Sequence, residues 1–289
     1  MRQWSIIAAC IVLTKWAGHW WTYPIAMLVV ATRQHALAIL VHEATHYRLL
    51  PSRFWNDFVS DVFCAFPLGL STSLYRHFHF AHHRWTVTDR DPENIAARDS
   101  DEAALPKVRA ELFKILVRDL LGLNFTKLFS AYYFTLLYKL RGRTATTQRL
   151  PRFERLLAVA FTIVLGISLW LTNGWLSFVF LWLVPMSTFL LGILRIRGLA
   201  EHAGLAREHE LNVSRSTAAN WLERLLIAPC HVNYHLEHHL FPSVPFYNLP
   251  KLHKRLMQEP AFQAEAHRTK GYLGFSSGVL GEVMRSSLP

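Results

Sequence analysis

Residues 23–46, YPIAMLVVATRQHALAILVHEATH, run a mostly apolar stretch from Tyr23 to Val41 straight into His42-Glu43-Ala44-Thr45-His46. The apolar part is close to the ~20 residues that a helix needs to cross a bilayer. A helix also brings residues four apart to one face, so His42 and His46 are expected side by side just beyond the membrane. The same segment therefore reads as a span and as part of a metal site.

Composition agrees with a membrane setting. Of 289 residues, 52% are hydrophobic and 18% charged, against ~25% charged in soluble domains. Trp4, Trp16, Trp20, Trp21 and Trp175 lie near the ends of apolar stretches, where an amphipathic ring suits the headgroup level. The formal charge of +11 does not form a compact patch with a nucleic-acid-reading motif. Its Lys and Arg flank the apolar segments and mark a cytoplasmic face. Cys10, Cys64 and Cys230 are far apart and form no CxxC pair, which argues against a disulfide framework or thiolate zinc site. Ile7-Ala8-Ala9-Cys10 looks faintly like a lipoprotein cleavage box, but too little apolar chain precedes it, and it reads as helix.

The expected fold is all-α, a multi-pass membrane protein with about four transmembrane helices in two hairpins. A cytoplasmic helical cap holds a di-metal site. The expected spans are residues 4–14, 23–41, 153–172 and 175–194, the first pair split by Lys15-Trp16-Ala17-Gly18-His19 and the second by Asn173-Gly174. The first is shorter than a span needs. Residues 55–74 contain Asp61, Pro67 and Gly69 and suit a re-entrant or interfacial segment. The cap comprises residues 75–152 and 195–289, with amphipathic stretches at Lys107–Leu121 and Phe125–Leu140. Arg149, Arg152, Arg155, Arg195 and Arg197 bracket the second hairpin as topology signals. No Gly/Ser linker interrupts the chain, so 1–289 is read as a single domain.

Two further boxes, His79-Phe80-Ala81-His82-His83 and His235-Leu236-Glu237-His238-His239, share the spacing HxxHH. Neutral imidazole suits iron, zinc, copper or nickel. Eight clustered imidazoles exceed what one tetrahedral ion uses, which implies two metals. His202, next to Glu201, follows the fourth span at a depth comparable to His46 and is a candidate ninth ligand. Glu43, Glu201, Glu237 and Asp91 are candidates to accept the outer imidazole N–H and fix ring orientation. His19, His35, His253 and His267 read as ordinary core or surface residues. The spacing assigns no role to His77, His231 or Asn233.

With Arg84 and Asp91-Pro92 after the second box, Ala200-Glu201-His202-Ala203, and the run Asn233-Tyr234-His235-Leu236-Glu237-His238-His239-Leu240-Phe241-Pro242, the sequence resembles the membrane fatty acid desaturase superfamily. That superfamily takes in acyl-lipid and sphingolipid desaturases and related carotenoid hydroxylases and ketolases. The resemblance implies a four-helix membrane scaffold with a cytoplasmic cap and two non-haem irons. Their ligands would be His42, His46, His79, His82, His83, His202, His235, His238 and His239. It implies O2 as co-substrate, activated at the irons, and two hydrogen abstractions that leave a double bond in an acyl chain or related lipid. Hydroxyl rebound would make the enzyme a hydroxylase or ketolase, acting on a carotenoid or smaller metabolite. Members often carry a polar residue near the isolated histidine that holds a metal-bound water. Here Arg197, Gly198, Leu199 and Ala200 precede Glu201, so that role is unfilled or falls to Asn233.

No haem-binding segment is evident at either end, so electrons are expected from a separate ferredoxin or cytochrome type donor, steered by Arg84, Arg90, Arg207 and Arg215. Two other classes compete. His42-Glu43-Ala44-Thr45-His46 satisfies HExxH, the motif of a zinc membrane protease with Glu43 as general base, but that leaves both HxxHH boxes unused. A metal carrier would place ligands inside its spans, where His35 is the exception.

Overall fold

The computed structural model describes residues 1–93, 108–126 and 151–285. Helices dominate, and the one sheet among these residues is a parallel pair, β1 (Ser216–Thr217) beside β2 (Arg268–Thr269). The stretch at Phe125–Leu140 lies almost wholly outside the described residues.

Helix α1 (Arg2–Ala17) closes at Gly18, whose φ of 65° allows the left-handed turn that returns its N–H to Thr14. Cys10 lies inside α1, as the helical reading of its neighbourhood expects. At 16 residues and ~1.5 Å per residue, α1 is shorter than a ~30 Å hydrocarbon core. Trp4 does not join an exterior belt. It stacks on Trp182 at 5.4 Å and donates Nε1–H to the Phe63 carbonyl, whereas Trp16 and Trp20 are exposed.

Helix α2 (Thr22–Thr45) is 24 residues long and carries the first box in its last turn. Helix α3 (Arg53–Ser60) widens into a π-helical turn at Asp61–Ala65, and α4 (Thr72–Trp85) departs at 89° to the line of Arg53–Leu68. Gly69 turns at a φ of 69°, the Asp61 carboxylate accepts from the Thr72 N–H, and the Ser71 side chain caps α4 through the Leu74 N–H.

Helix α5 (Arg109–Leu120) matches the first amphipathic stretch. Helices α6 (Arg152–Leu171) and α7 (Trp175–His202) follow, the latter with a π-helical turn at Val179–Leu183 and a break at Thr188. Among the described residues three helices, α2, α6 and α7, are long and apolar enough to cross a membrane, or four if the bent Arg53–Trp85 pair is one span. α1 is not among them.

The remaining helices are short: α8 (Trp221–Leu226), α9 (His235–Leu240), α10 (Leu249–Leu256), α11 (Pro260–Glu265) and α12 (Val279–Arg285). Ile39 of α2, Ala200 of α7, Val232 and Val279 of α12 share one apolar core, which fixes the polar C-terminal region against the two ligand-bearing helices.

Two arginines hold the helix ends that matter. Arg76 of α4 donates Nε–H to the Thr45 carbonyl (3.0 Å) and Nη2–H to the Ala44 carbonyl (2.9 Å) while paired with Asp57, so a cation caps the negative end of α2. Arg215 does the same for α7, donating to the Leu199, Ala200 and Ala203 carbonyls at 2.9–3.1 Å. It is fully buried and lies 3.0 Å from Glu282. That overturns its expected place on a donor-steering surface, because a guanidinium enclosed by carbonyls and a carboxylate presents no charge to a partner.

Candidate metal centre

Four helix ends converge on one polar interior: His42 and His46 around the end of α2, His79, His82 and His83 on α4, His202 at the end of α7, and His235, His238 and His239 on α9. All nine sequence-nominated histidines come together, and they sort into two groups. His42, His46, His79, His83 and His238 form one, and His82, His202, His235 and His239 the other, the ligand atoms of each lying within 4.8 Å of one another.

The HxxHH spacing explains the sorting. Residues at i+3 and i+4 both neighbour i but fall on opposite sides of it, about 100° apart around the helix. On α4, His79 and His83 therefore enter the five-histidine group and His82 the other; on α9, His235 and His239 enter the four-histidine group and His238 crosses over. Each box serves both groups, in opposite senses.

Inside the groups, ring nitrogens face ring nitrogens. The Nε2–Nε2 separations are 2.9 Å for His46–His79, 2.9 Å for His79–His83, 3.0 Å for His83–His238, 2.9 Å for His202–His235 and 3.3 Å for His82–His239. His83 Nε2 meets two such neighbours, and one N–H cannot satisfy both. Both ring nitrogens of His42 and Nδ1 of His79 are buried without a partner. Converging lone pairs at this spacing suit nitrogens ~2.1 Å from a common cation, so the donor set fits metal binding.

Outer partners fix the ring tautomers in the four-histidine group. His82 donates Nδ1–H to both Asp91 oxygens (3.0 and 3.1 Å), and His202 donates Nδ1–H to the Val213 carbonyl (2.8 Å). These acceptors leave Nε2 bare and aimed inward. Glu201 Oε1 lies 3.3 Å from His235 Nδ1, off the line of a hydrogen bond, and pairs with Arg197. Thr86 Oγ1 approaches His239 Nδ1 at 3.5 Å while donating to the His82 carbonyl.

Burial and the neighbouring rings push His235, His238 and His239 well below the usual imidazole range, so each is neutral near pH 7 as a ligand must be. Burial pushes the Asp91 carboxyl up, but the hydrogen bond and charge of His82, with the Val87 and Glu93 N–H groups, outweigh it and hold Asp91 below its ordinary value.

Of the four acids considered as outer partners, Asp91 and Glu201 stand against box rings. Glu43 accepts the Phe246 N–H (3.0 Å), and its nearer oxygen is 3.8 Å from His42 Nδ1, too far to bond. Glu237 is fully buried but accepts from Ser216 and His253 behind the third box. His253 thus supports that box from outside, and His267 pairs with Glu282. His35 is buried with neither ring nitrogen bonded, unlike a satisfied core residue. His77 is exposed and His231 half-buried. Asn233 donates Nδ2–H to the Thr217 carbonyl, leaving Oδ1 buried and unpartnered. Arg195 and Arg197, expected as topology charges, pair with Asp119 and Glu201.

Spacing alone missed Thr86 and the Val213 carbonyl. Thr86 follows the second box closely enough to have been proposed, but a backbone carbonyl carries no residue-type signal. A cavity of about 10 Å³ reaches both groups, touching His42 and His238 of one and His235 of the other. Its remaining wall includes Ile39, Val232, Phe246 and Leu249, with Glu43 and Tyr234 as polar members.

The family model for fatty acid desaturases matches residues 18–271. The chain belongs to the fatty acid desaturase family. It is 30% identical over 269 residues to a dihydrorhizobitoxine desaturase of Bradyrhizobium elkanii, covering 90% of this chain and 75% of the relative. It is 27% identical over 254 residues to a sphingolipid delta(4)-desaturase/C4-monooxygenase of Homo sapiens, covering 85% and 69%. An sn-1 oleoyl-lipid 12-desaturase of Synechocystis sp. is 24% identical over 258 residues, covering 83% and 69%. The chain is accordingly an oxidoreductase of a membrane-associated, metal-dependent family, a desaturase or related oxidase. The protease and carrier readings give way to this. His42 and His46 do not stand alone as a zincin pair but share their group with His79, His83 and His238.

Proposed function

We propose that the protein is an O2-dependent di-iron desaturase that introduces a double bond into an acyl chain or related lipid. The observation that carries the reading is the sorting of nine histidines into adjoining groups of five and four, with no carboxylate in either among the described residues. His42, His46, His79, His83 and His238 would hold one iron, and His82, His202, His235 and His239 the other. When bound, the irons supply the redox chemistry that activates O2 and removes hydrogen from an unactivated C–H bond.

The chain's own residues do the rest. Buried neutral imidazoles present bare nitrogens, outer groups stop the rings from turning, and Ile39, Val232, Phe246 and Leu249 exclude water beside the centre. The gap they leave is narrow, about one water in size. The reacting carbons approach there, and entry of an acyl chain requires this wall to open.

The whole chain, 1–289, acts as one domain, with two helical hairpins in the membrane and the centre on the cytoplasmic side, the bent Arg53–Trp85 segment being re-entrant. Exposed Arg84 and Arg90, packed on Trp85 close to the second box, offer a landing site for a separate ferredoxin or cytochrome type donor. A second reading, hydroxylation at the same centre, is favoured by one relative whose name joins desaturase with C4-monooxygenase. Expression in a heterologous host, with profiling of lipids and polar metabolites, tests both. A new double bond supports desaturation, a new hydroxyl supports the second reading, and an unchanged profile with iron bound and a donor supplied rejects the substrate class.

A further inference from the structure

The two groups differ most behind their ligand atoms. We propose that the two metal positions are unequal: the His82, His202, His235 and His239 position holds its iron more tightly and fills first, with Asp91 as the residue that positions it. This rests on the two-iron reading above.

In that group two outer ring nitrogens are firmly hydrogen-bonded and the other two have a polar group close by. Asp91 takes His82 with both oxygens, the Val213 carbonyl takes His202, Glu201 stands against His235, and Thr86 approaches His239. Asp91 is itself fixed, accepting the Val87 N–H at 2.7 Å and the Glu93 N–H at 2.9 Å while 2% exposed. In the five-histidine group no described outer group bonds a ring: the Glu43 carboxylate stands 3.8 Å from His42 Nδ1, too far to bond. Nδ1 of His42 and of His79 is buried without a partner, and among the described residues His46, His83 and His238 make no hydrogen bond to anything but another box histidine or none at all.

Two consequences follow for cation binding. Rings held by acceptors are preorganised, and a ring hydrogen-bonded to a carboxylate is a more basic donor. Such outer partners typically change metal affinity 10–100-fold. Asp91, Glu93 and Glu201 also stand 3.0–3.6 Å from outer ring nitrogens at one position, against Glu43 at 3.8 Å from His42 Nδ1 at the other, although Arg197 offsets part of the Glu201 charge. The fifth imidazole adds a neutral ligand to the other position but also another unpinned ring to order.

The test is anaerobic titration of full-length, metal-stripped protein in nanodiscs with 57Fe(II), read by bound iron per chain and by Mössbauer spectra at each step. Two steps separated by about 10-fold or more in affinity are expected, the first equivalent giving one quadrupole doublet and the second adding another. In Asp91→Asn the first step weakens 10–100-fold and its doublet changes, the second is unaffected, and Asp91→Glu restores the first in part. Thr86→Val, which spares the Asp91 backbone contacts, weakens the same step by a smaller factor and decides the matter if Asp91→Asn does not fold. A single step in the wild-type protein, or a weakened second step in these variants, overturns the proposal while leaving two irons and turnover intact. Failure to bind two irons at all overturns the two-iron reading instead.

Discussion

Helices α2 and α6 have nearly the same mean hydropathy, 1.6 and 1.8, yet 61% of the apolar window of α2 is buried against the rest of the protein and only 6% of that of α6. Hydropathy measures compatibility with lipid and is blind to what covers a helix. The difference lies in a few polar positions. α2 buries Thr32, Arg33, Gln34 and His35 before reaching the box, and Arg33 donates to Gln3 (3.1 Å) and to the Leu225 carbonyl (3.0 Å), tying α2 to α1 and α8. The sole buried residue of α6 is Glu154, bonded to Ser71. An apolar helix with costly polar groups along it is therefore the one that builds the site, and the uninterrupted one is scaffold.

The sharpest way to break this contrast is on α2 itself. His42→Ala is expected to abolish turnover and lower bound iron, as are His82→Ala, His238→Ala and His239→Ala, checked by product formation and elemental analysis. Retained iron and activity in any two of the last three would sink the ligand assignment. On α6, Val164→Arg puts a charge near the helix centre on an exposed face and should cost ~2.5–3.5 kcal/mol of membrane insertion, measured by glycosylation mapping. Next comes Arg33→Leu, which removes the bonds to the Gln3 side chain and the Leu225 carbonyl and should cost about 1–2 kcal/mol in thermal unfolding with the iron content unchanged. Ile163→Leu, also on the exposed face of α6, should stay within about 0.5 kcal/mol. If it costs as much as Arg33→Leu, α6 has a protein partner rather than lipid around it.

The nine histidines were legible because both halves of the signal are local: imidazole is a rare, chemically specific side chain, and spacings of three and four have one meaning on a helix. The apolar helices were legible for a similar reason. The sorting into five and four depends on which way α4 and α9 face each other, and their boxes are separated by about 150 positions. Asp91 was within reach as an outer partner because it follows its histidine in the chain, whereas Glu237 looked equally good and turned away to Ser216 and His253. Arg215 was misread for the opposite reason: charge in a sequence suggests solvent, and only the fold reveals the carbonyls of Leu199, Ala200 and Ala203 around it.

The opposed sense of the two HxxHH boxes works as a ruler. His82 and His83 are consecutive, as are His238 and His239, and each pair divides between the two groups. The spacing of the two positions is thus gauged twice, from opposite sides, by neighbouring Cα atoms about 3.8 Å apart along an unstretchable chain. Helices can drift against one another and the rings can tilt, but each consecutive pair keeps its two rings close, with centroids 5.8 Å apart for His82 and His83 and 5.9 Å for His238 and His239.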